Sequence, residues 1–149
     1  MDWRTFLFGT GGRLSRMGYW LAVLIYLALS VLSFVVALQI LIALSGDLMS
    51  VFLYVGSGLF IILVLFSAIA VGIKRLHDRD KSGWWIIPFI ALPLLLNSAS
   101  RGGLVTADSA TTLKWVSLAL VVWGIVELGI RRGTVGPNRF GPDPLAQGD

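Results

Sequence analysis

Residues 19–44, YWLAVLIYLALSVLSFVVALQILIAL, carry no charged side chain, and neither do residues 48–73, LMSVFLYVGSGLFIILVLFSAIAVGI. Each run is 26 residues long. A helix needs about 20 apolar residues to cross the hydrocarbon core, so both runs qualify as spans with room to tilt. They are continuously apolar rather than alternating, which favours helices over barrel strands. Only a few residues around Gly46-Asp47 join them, so the two spans form an antiparallel hairpin. The triplet Ala43-Leu44-Ser45 resembles a signal-peptide cleavage site. The apolar run before it, however, is about twice the usual 7–15 residues of a signal sequence, and it reads as a retained span. No lipidation motif is visible.

Working outward, residues 115–130 form a further apolar run, extended by residues 111–114 and interrupted only by Glu127. Residues 84–96 are a short candidate of 13 residues containing Pro88 and Pro93, lengthened if residues 97–100 join it. Four spans are expected, at about 19–44, 48–73, 84–100 and 112–130. Composition agrees: of 149 residues, 56% are hydrophobic and 13% charged, against roughly 25% charged in a soluble domain. A soluble domain of this size could not hide so much apolar surface. The length fits a single membrane domain, residues 1–149. The absence of Cys excludes a disulfide framework, a thiolate metal site and a Cys nucleophile.

Boundary residues fit these spans. Ser15 and Ser82 are candidate caps for the first and third helices, and Asp47 and Thr111 or Thr112 for the other two. Gly46 and Gly133 suit positions just past helix ends. Tyr19-Trp20 and Trp84-Trp85 belong to interfacial aromatic belts. Pro88 and Pro93 predict a third helix that is kinked and packed within the bundle. The stretch 97–112 reads as an external loop. Ala68 and Gly72 form a small-residue pair, with Gly56 and Gly58 nearby, which permits close helix packing.

Lys and Arg set the orientation. Arg4, Arg13, Arg16, Lys74, Arg75, Arg79, Lys81, Arg131, Arg132 and Arg139 fall on one side of a four-span arrangement, and only Arg101 and Lys114 on the other. By the positive-inside rule both termini are expected in the cytoplasm. A cytoplasmic cap is then expected from residues 1–18, 74–83 and 131–149.

Three motifs occupy that cap. Gly12, Arg13, Arg16, Tyr19 and Trp20 lead into the first span. Arg75, Leu76, His77, Asp78, Lys81, Ser82, Gly83, Trp84 and Trp85 lie between the second and third. Asn138, Arg139, Phe140, Gly141, Asp143 and Pro144 follow the last. In this order around four spans they resemble the bacterial inner-membrane family of domain of unknown function 805 (YhaH-like). The resemblance covers nearly the whole chain. Asp80 departs from it, standing where a Gly is common. The resemblance implies an all-α, multi-pass fold in the bacterial inner membrane and no established activity.

The residues must therefore supply the functional expectation. Arg13, Arg16, Arg75, Arg79 and Arg139 come from three segments that the helices bring together. Such arginines can hold the topology, or can grip an anionic lipid headgroup or a partner protein. His77, Asp78, Asn138 and Asp143 are read as structural members of the cap. Asp78 is its expected central counter-charge, paired with one or more of Arg13, Arg16, Arg75 and Arg139, and His77 ties the loop to the tail. A catalytic His77-Asp78 pair lacks an evident nucleophile. Metal ligation is also weak, since His77 is the only His, and no cofactor is expected. Glu127 is the only carboxylate within a span, four residues before Arg131, which suits a salt bridge on one helix face as well as a proton relay. Nucleic acid is a poor partner, because topology explains the basic excess. The expectation is a non-enzymatic binder of a protein partner or anionic lipid through the cap. The alternatives are a small transporter or channel component using Glu127 and the Pro-broken third helix, and then a lipid-headgroup enzyme.

Overall fold

The computed structural model describes residues 2–43, 47–102 and 105–146. The expected terminator Gly46, the side chain of Asp47, Leu44 and Ser45 of the cleavage-like triplet, and Gly103 lie outside the described residues.

Among the described residues the regular elements are all helical. A short α1 (Trp3–Phe8) precedes α2 (Arg16–Ala43) and α3 (Asp47–Asp78). A 3₁₀ turn (Gly83–Trp85), a π turn (Ile87–Ala91) and α4 (Leu92–Arg101) make one winding segment. The last is α5 (Ala107–Ile125), continued by a π turn (Val126–Ile130). Four of these segments are long and apolar enough to cross a membrane: Arg16–Ile42, Val51–Asp78, Gly83–Arg101 and Ala107–Ile130. The protein is a multi-pass membrane protein with an all-α fold.

Several helix boundaries differ from the sequence reading. Ser15 caps α2, its Oγ accepting from Gly18 N at 3.3 Å, but Ser82 makes no side-chain cap bond. Thr106, not Thr111 or Thr112, caps α5. Thr111 and Thr112 lie inside the helix, donating to the carbonyls of Ala107 and Asp108 at 3.1 Å each. The connection between α4 and α5 is consequently shorter than residues 97–112, since α4 runs to Arg101 and α5 starts at Ala107. The second span continues past residue 73, so residues 74–78 of the supposed loop are the last turn of α3.

The third segment absorbs its prolines by changing its winding. Pro88 and Pro93 each stand in the first turn of a helical piece, where a missing N–H costs least. Leu92 N donates to Ile87 O, one residue further back than in an α-helix. Gly83–Arg101 is 19 residues, about 28 Å at 1.5 Å per residue, enough to cross. One face packs on α5. Phe89 lies over Gly124, with its ring 5.0 Å from that of Trp123 and nearly perpendicular to it. Asn97 Nδ2 donates to Ser117 Oγ at 2.7 Å, and Ser117 Oγ donates to Pro93 O at 3.2 Å. The opposite face, with Leu94 and Leu95, is exposed.

Two clusters of buried side chains make the core. One is Phe6, Ala22 and Val71; the other is Leu76, Phe89 and Leu128; Tyr19 packs against both. Both lie near the end of the helices where residues 13–16, 74–82 and 129–143 meet, here called the basic end. Gly72 lets α3 meet Ile86, whose Cδ1 would lie 2.5 Å from a Cβ there. Gly56 and Gly58, expected to allow close packing, face open space. The helices thus interlock at the basic end and present bare apolar surface further along.

Candidate functional site

The cap at the basic end is organised around two carboxylates, each reached by cations from other elements. Asp78 ends α3 with a side chain 4% exposed. Its Oδ1 accepts from Arg13 Nε at 3.1 Å and Nη2 at 3.0 Å, and its Oδ2 accepts from Arg75 Nη1. A carboxylate at a helix C-terminus opposes the macrodipole, and the two guanidinium groups offset that cost. The Asp78 carbonyl also accepts from Thr134 N at 2.8 Å and Thr134 Oγ1 at 3.2 Å. Asp78 therefore joins the lead-in to α2, the end of α3 and the C-terminal tail.

Arg13 and Arg75 extend this junction. Arg13 donates from Nη1 to Gly136 O and from Nη2 to Thr134 O, both at 2.6 Å. Arg75, wholly buried, donates from Nε to Leu128 O at 2.7 Å and from Nη2 to Arg131 O. Those carbonyls end the last helix and lack intrahelical partners, so Arg75 serves as its C-terminal cap from a different helix.

Glu127 is the second hub. Its side chain is fully buried and receives Lys81 Nζ at 2.8 Å, Arg131 Nη1 at 3.0 Å and Arg79 Nε at 3.2 Å. It lies in the π turn Val126–Ile130. The i, i+4 pair with Arg131 was legible from spacing. Arg79 and Lys81 were not, because they reach Glu127 across the helix interface.

His77 and the tail motif form the rim. His77 Nδ1–H donates to Gly12 O at 3.2 Å, and its ring stacks on Phe140 at 3.9 Å, 4° from parallel. Asn138 Nδ2 donates to His77 O and to Thr134 Oγ1, each at 2.9 Å. Asp143 accepts from Gly136 N at 2.9 Å and Leu145 N at 3.0 Å. Those two backbone donors, Leu145 first, hold its carboxyl below the ordinary Asp value. His77 and Asp78 do not pair with each other, since both Asp78 oxygens face arginines. Among the described residues no group of three His, Asp or Glu side chains comes together to hold a metal ion.

The five arginines grouped by the sequence divide into two sets. Arg13 and Arg75 are turned inward, with side chains 1% and 0% exposed. Arg79 is directed to Glu127 and to Arg132 O. The bonds these three make are to groups of the protein itself. Arg16 and Arg139 are exposed. Among the described residues Arg16 Nη1 donates only to Ile130 O, at 3.3 Å, and Arg139 pairs with exposed Asp80 at 3.2 Å. Arg131 and Arg132, which the sequence reading left out of the site, are exposed on the same rim.

Further residues of the cap escaped sequence reading. Lys74 is buried, with Nζ donating to Thr5 O at 2.7 Å and Phe6 O at 2.5 Å, so it ties α1 to α3. Gly133 does not terminate a helix, since the last helical residue is Ile130. A Cβ there would lie 2.8 Å from Asp78 Oδ1, so its bare backbone admits the carboxylate. Asp80 keeps the turn after α3 with φ +55°, the left-handed conformation suited to the Gly more common at that place.

Comparison with known proteins places this arrangement. Residues 7–142 match the model of a family described as "Protein of unknown function (DUF805)". Uncharacterized protein YiiR of Escherichia coli (strain K12) is 27% identical over 144 residues, covering 96% of this chain and 90% of that protein. Inner membrane protein YhaH of the same organism is 34% identical over 83 residues, 56% of this chain and 47% of that protein. No solved structure matches the chain.

Proposed function

Because the chain belongs to the DUF805 family, whose description assigns no activity, we propose a function from the cap itself: a non-enzymatic inner-membrane protein that binds anionic phospholipid through a rigid, basic, cytoplasmic cap. The observation that carries this reading is the unequal use of charge. Asp78 and Glu127 are buried and engaged by five cations of the protein itself, of which Arg13 and Arg75 are buried and Arg131 reaches in from the rim. Arg16, Arg132 and Arg139 add positive charge on the exposed rim, answered there by Asp80 against Arg139. A surplus of exposed Arg beside the hydrocarbon boundary favours anionic headgroups, by about 1 kcal/mol per residue. The relative YhaH is named as an inner membrane protein, and the ten-to-two division of Lys and Arg supports a cap on the cytoplasmic side.

Two measurements test this reading. The chain has no Cys, so single cysteines at Ser109 and Gly148 can be labelled cleanly in whole cells. An impermeant thiol reagent is expected to modify the first and not the second. Labelling at Gly148 would refute the orientation. Reconstituted in nanodiscs, the protein is expected to unfold at higher temperature in phosphatidylglycerol than in phosphatidylcholine. Equal temperatures would refute the lipid reading.

A further inference from the structure

At the start of α2 a charged group stands directly above an apolar groove. Arg16, Met17, Trp20, Leu21, Leu24 and Gly129 line a hollow of about 460 Å³. At about 1.5 Å per residue, Trp20 lies one turn, roughly 6 Å, below Arg16, and Leu24 about 12 Å below it. The groove thus runs from a guanidinium through an indole to aliphatic side chains. That is the order of headgroup, glycerol region and acyl chain in a phospholipid.

The groove is built rather than incidental. Trp20 Nε1 donates to Gly129 O at 3.1 Å, which fixes the indole as a wall. Gly129 leaves room for it, since a Cβ there would lie 2.8 Å from Trp20 Cζ2. Met17, Leu21 and Leu24 remain exposed along the opening. Among the described residues Arg16 makes a single side-chain bond, at 3.3 Å to Ile130 O, which leaves most of its five N–H donors without a partner there. Arg132 lines the adjoining pit together with Arg16. The nearby carboxylates are engaged elsewhere: Asp78 by Arg13 and Arg75, and Asp143 by the backbone of residues 136 and 145.

We infer that this groove is a specific site for one anionic phospholipid from the leaflet on the basic side. Its phosphate is held by Arg16 and Arg132, and one acyl chain lies along Trp20, Leu21 and Leu24. The inference rests on the anionic-lipid reading and narrows it to one groove. Charge complementarity selects the headgroup, and the apolar wall below selects a lipid over a free anion.

The test is native mass spectrometry of the detergent-purified chain mixed with equal amounts of phosphatidylglycerol and phosphatidylcholine. The parent is expected to retain phosphatidylglycerol preferentially. Arg16→Gln and Arg132→Gln should each lower that preference about fivefold. Leu24→Trp, which fills the groove without altering charge, should lower retention of phosphatidylglycerol. Arg139→Gln, whose charge Asp80 already answers, should lower the preference less than either of those arginine variants. Thermal unfolding of each variant reports whether it is folded, and Leu24→Trp provides the decision if an arginine variant is not. Preference lost in Arg139→Gln but kept in Arg16→Gln, Arg132→Gln and Leu24→Trp would overturn the groove while leaving a basic cap that binds lipid. No preference in the parent would overturn both. Displacement of the lipid by millimolar inorganic phosphate would identify a free-anion site and overturn the lipid assignment.

Discussion

The carboxylate of Asp78 occupies the space where a side chain on Gly133 would be: a Cβ at Gly133 would lie 2.5 Å from the Asp78 carboxyl carbon. The tail therefore passes the end of α3 at backbone distance, and Thr134 N reaches Asp78 O at 2.8 Å. A close backbone approach of this kind leaves no room for even one added methyl group.

Gly133→Ala is thus expected to destabilise the protein, through overpacking of about 1–3 kcal/mol and displacement of Asp78 from its arginines. Gly11→Ala serves as the control, because nothing lies within 4 Å of a Cβ there. Thermal unfolding in detergent should separate the two clearly. Equal melting temperatures would show that the tail moves aside freely.

Removing Asp78 leaves Arg13 and Arg75 buried without their counter-charge. Breaking a buried pair costs about 3–5 kcal/mol, whereas an exposed one contributes about 0–1 kcal/mol. Asp78→Ala should lower the melting temperature strongly. Asp143→Ala should do so weakly, since Asp143 Oδ1 lies 4.0 Å from Arg13 and its shorter bonds are to local backbone. A parent-like Asp78→Ala protein would mean that the cap is not held by this junction.

Glu127 should show the same asymmetry from the other side. Glu127→Gln leaves Arg79, Lys81 and Arg131 without their counter-charge, and because solvent reaches all three the cost falls below the about 3–5 kcal/mol of a fully buried pair but above that of an exposed one. Arg131→Gln removes a partner that is 56% exposed and should cost about 0–1 kcal/mol. Hydrogen exchange at residues 79–82 should rise in the first variant and stay near the parent's in the second.

Asp80 tests the turn after α3. At φ +55° a β-branched residue is strained by roughly 1–2 kcal/mol, so Asp80→Val should lower the melting temperature. Asp80→Gly relieves the conformation and loses only the exposed pair with Arg139, so it should remain close to the parent. A Val variant as stable as the Gly variant would show that this turn relaxes.

The cap was less legible in the sequence than the spans. Asp78 stood out as a central counter-charge because few acidic residues accompany the ten basic ones in the three segments. Lys74, Lys81, Gly133 and Thr134 carried no comparable signal. Their roles depend on which helix faces which, and no local pattern encodes that. The caps at Thr111 and Thr112 were misplaced for a related reason. Hydropathy marks where a helix enters lipid, whereas Thr106 starts α5 outside the apolar run.

The amino-acid order determined the four spans on its own, because the free energy of placing a residue in hydrocarbon is nearly a sum over neighbours along one helix. The same additivity makes the clustering of Lys and Arg on one side readable. Only the tertiary structure decided which arginines serve the protein and which face outward. Arg75 and Arg79 are one helical turn apart in sequence, yet one meets Asp78 and the other Glu127. Arg75 lies within α3 and Arg79 in the turn just past its end, so the choice follows from how that end packs against its neighbours. It depends on the packing of Tyr19, Leu76, Phe89 and Leu128, contacts between residues far apart in the chain.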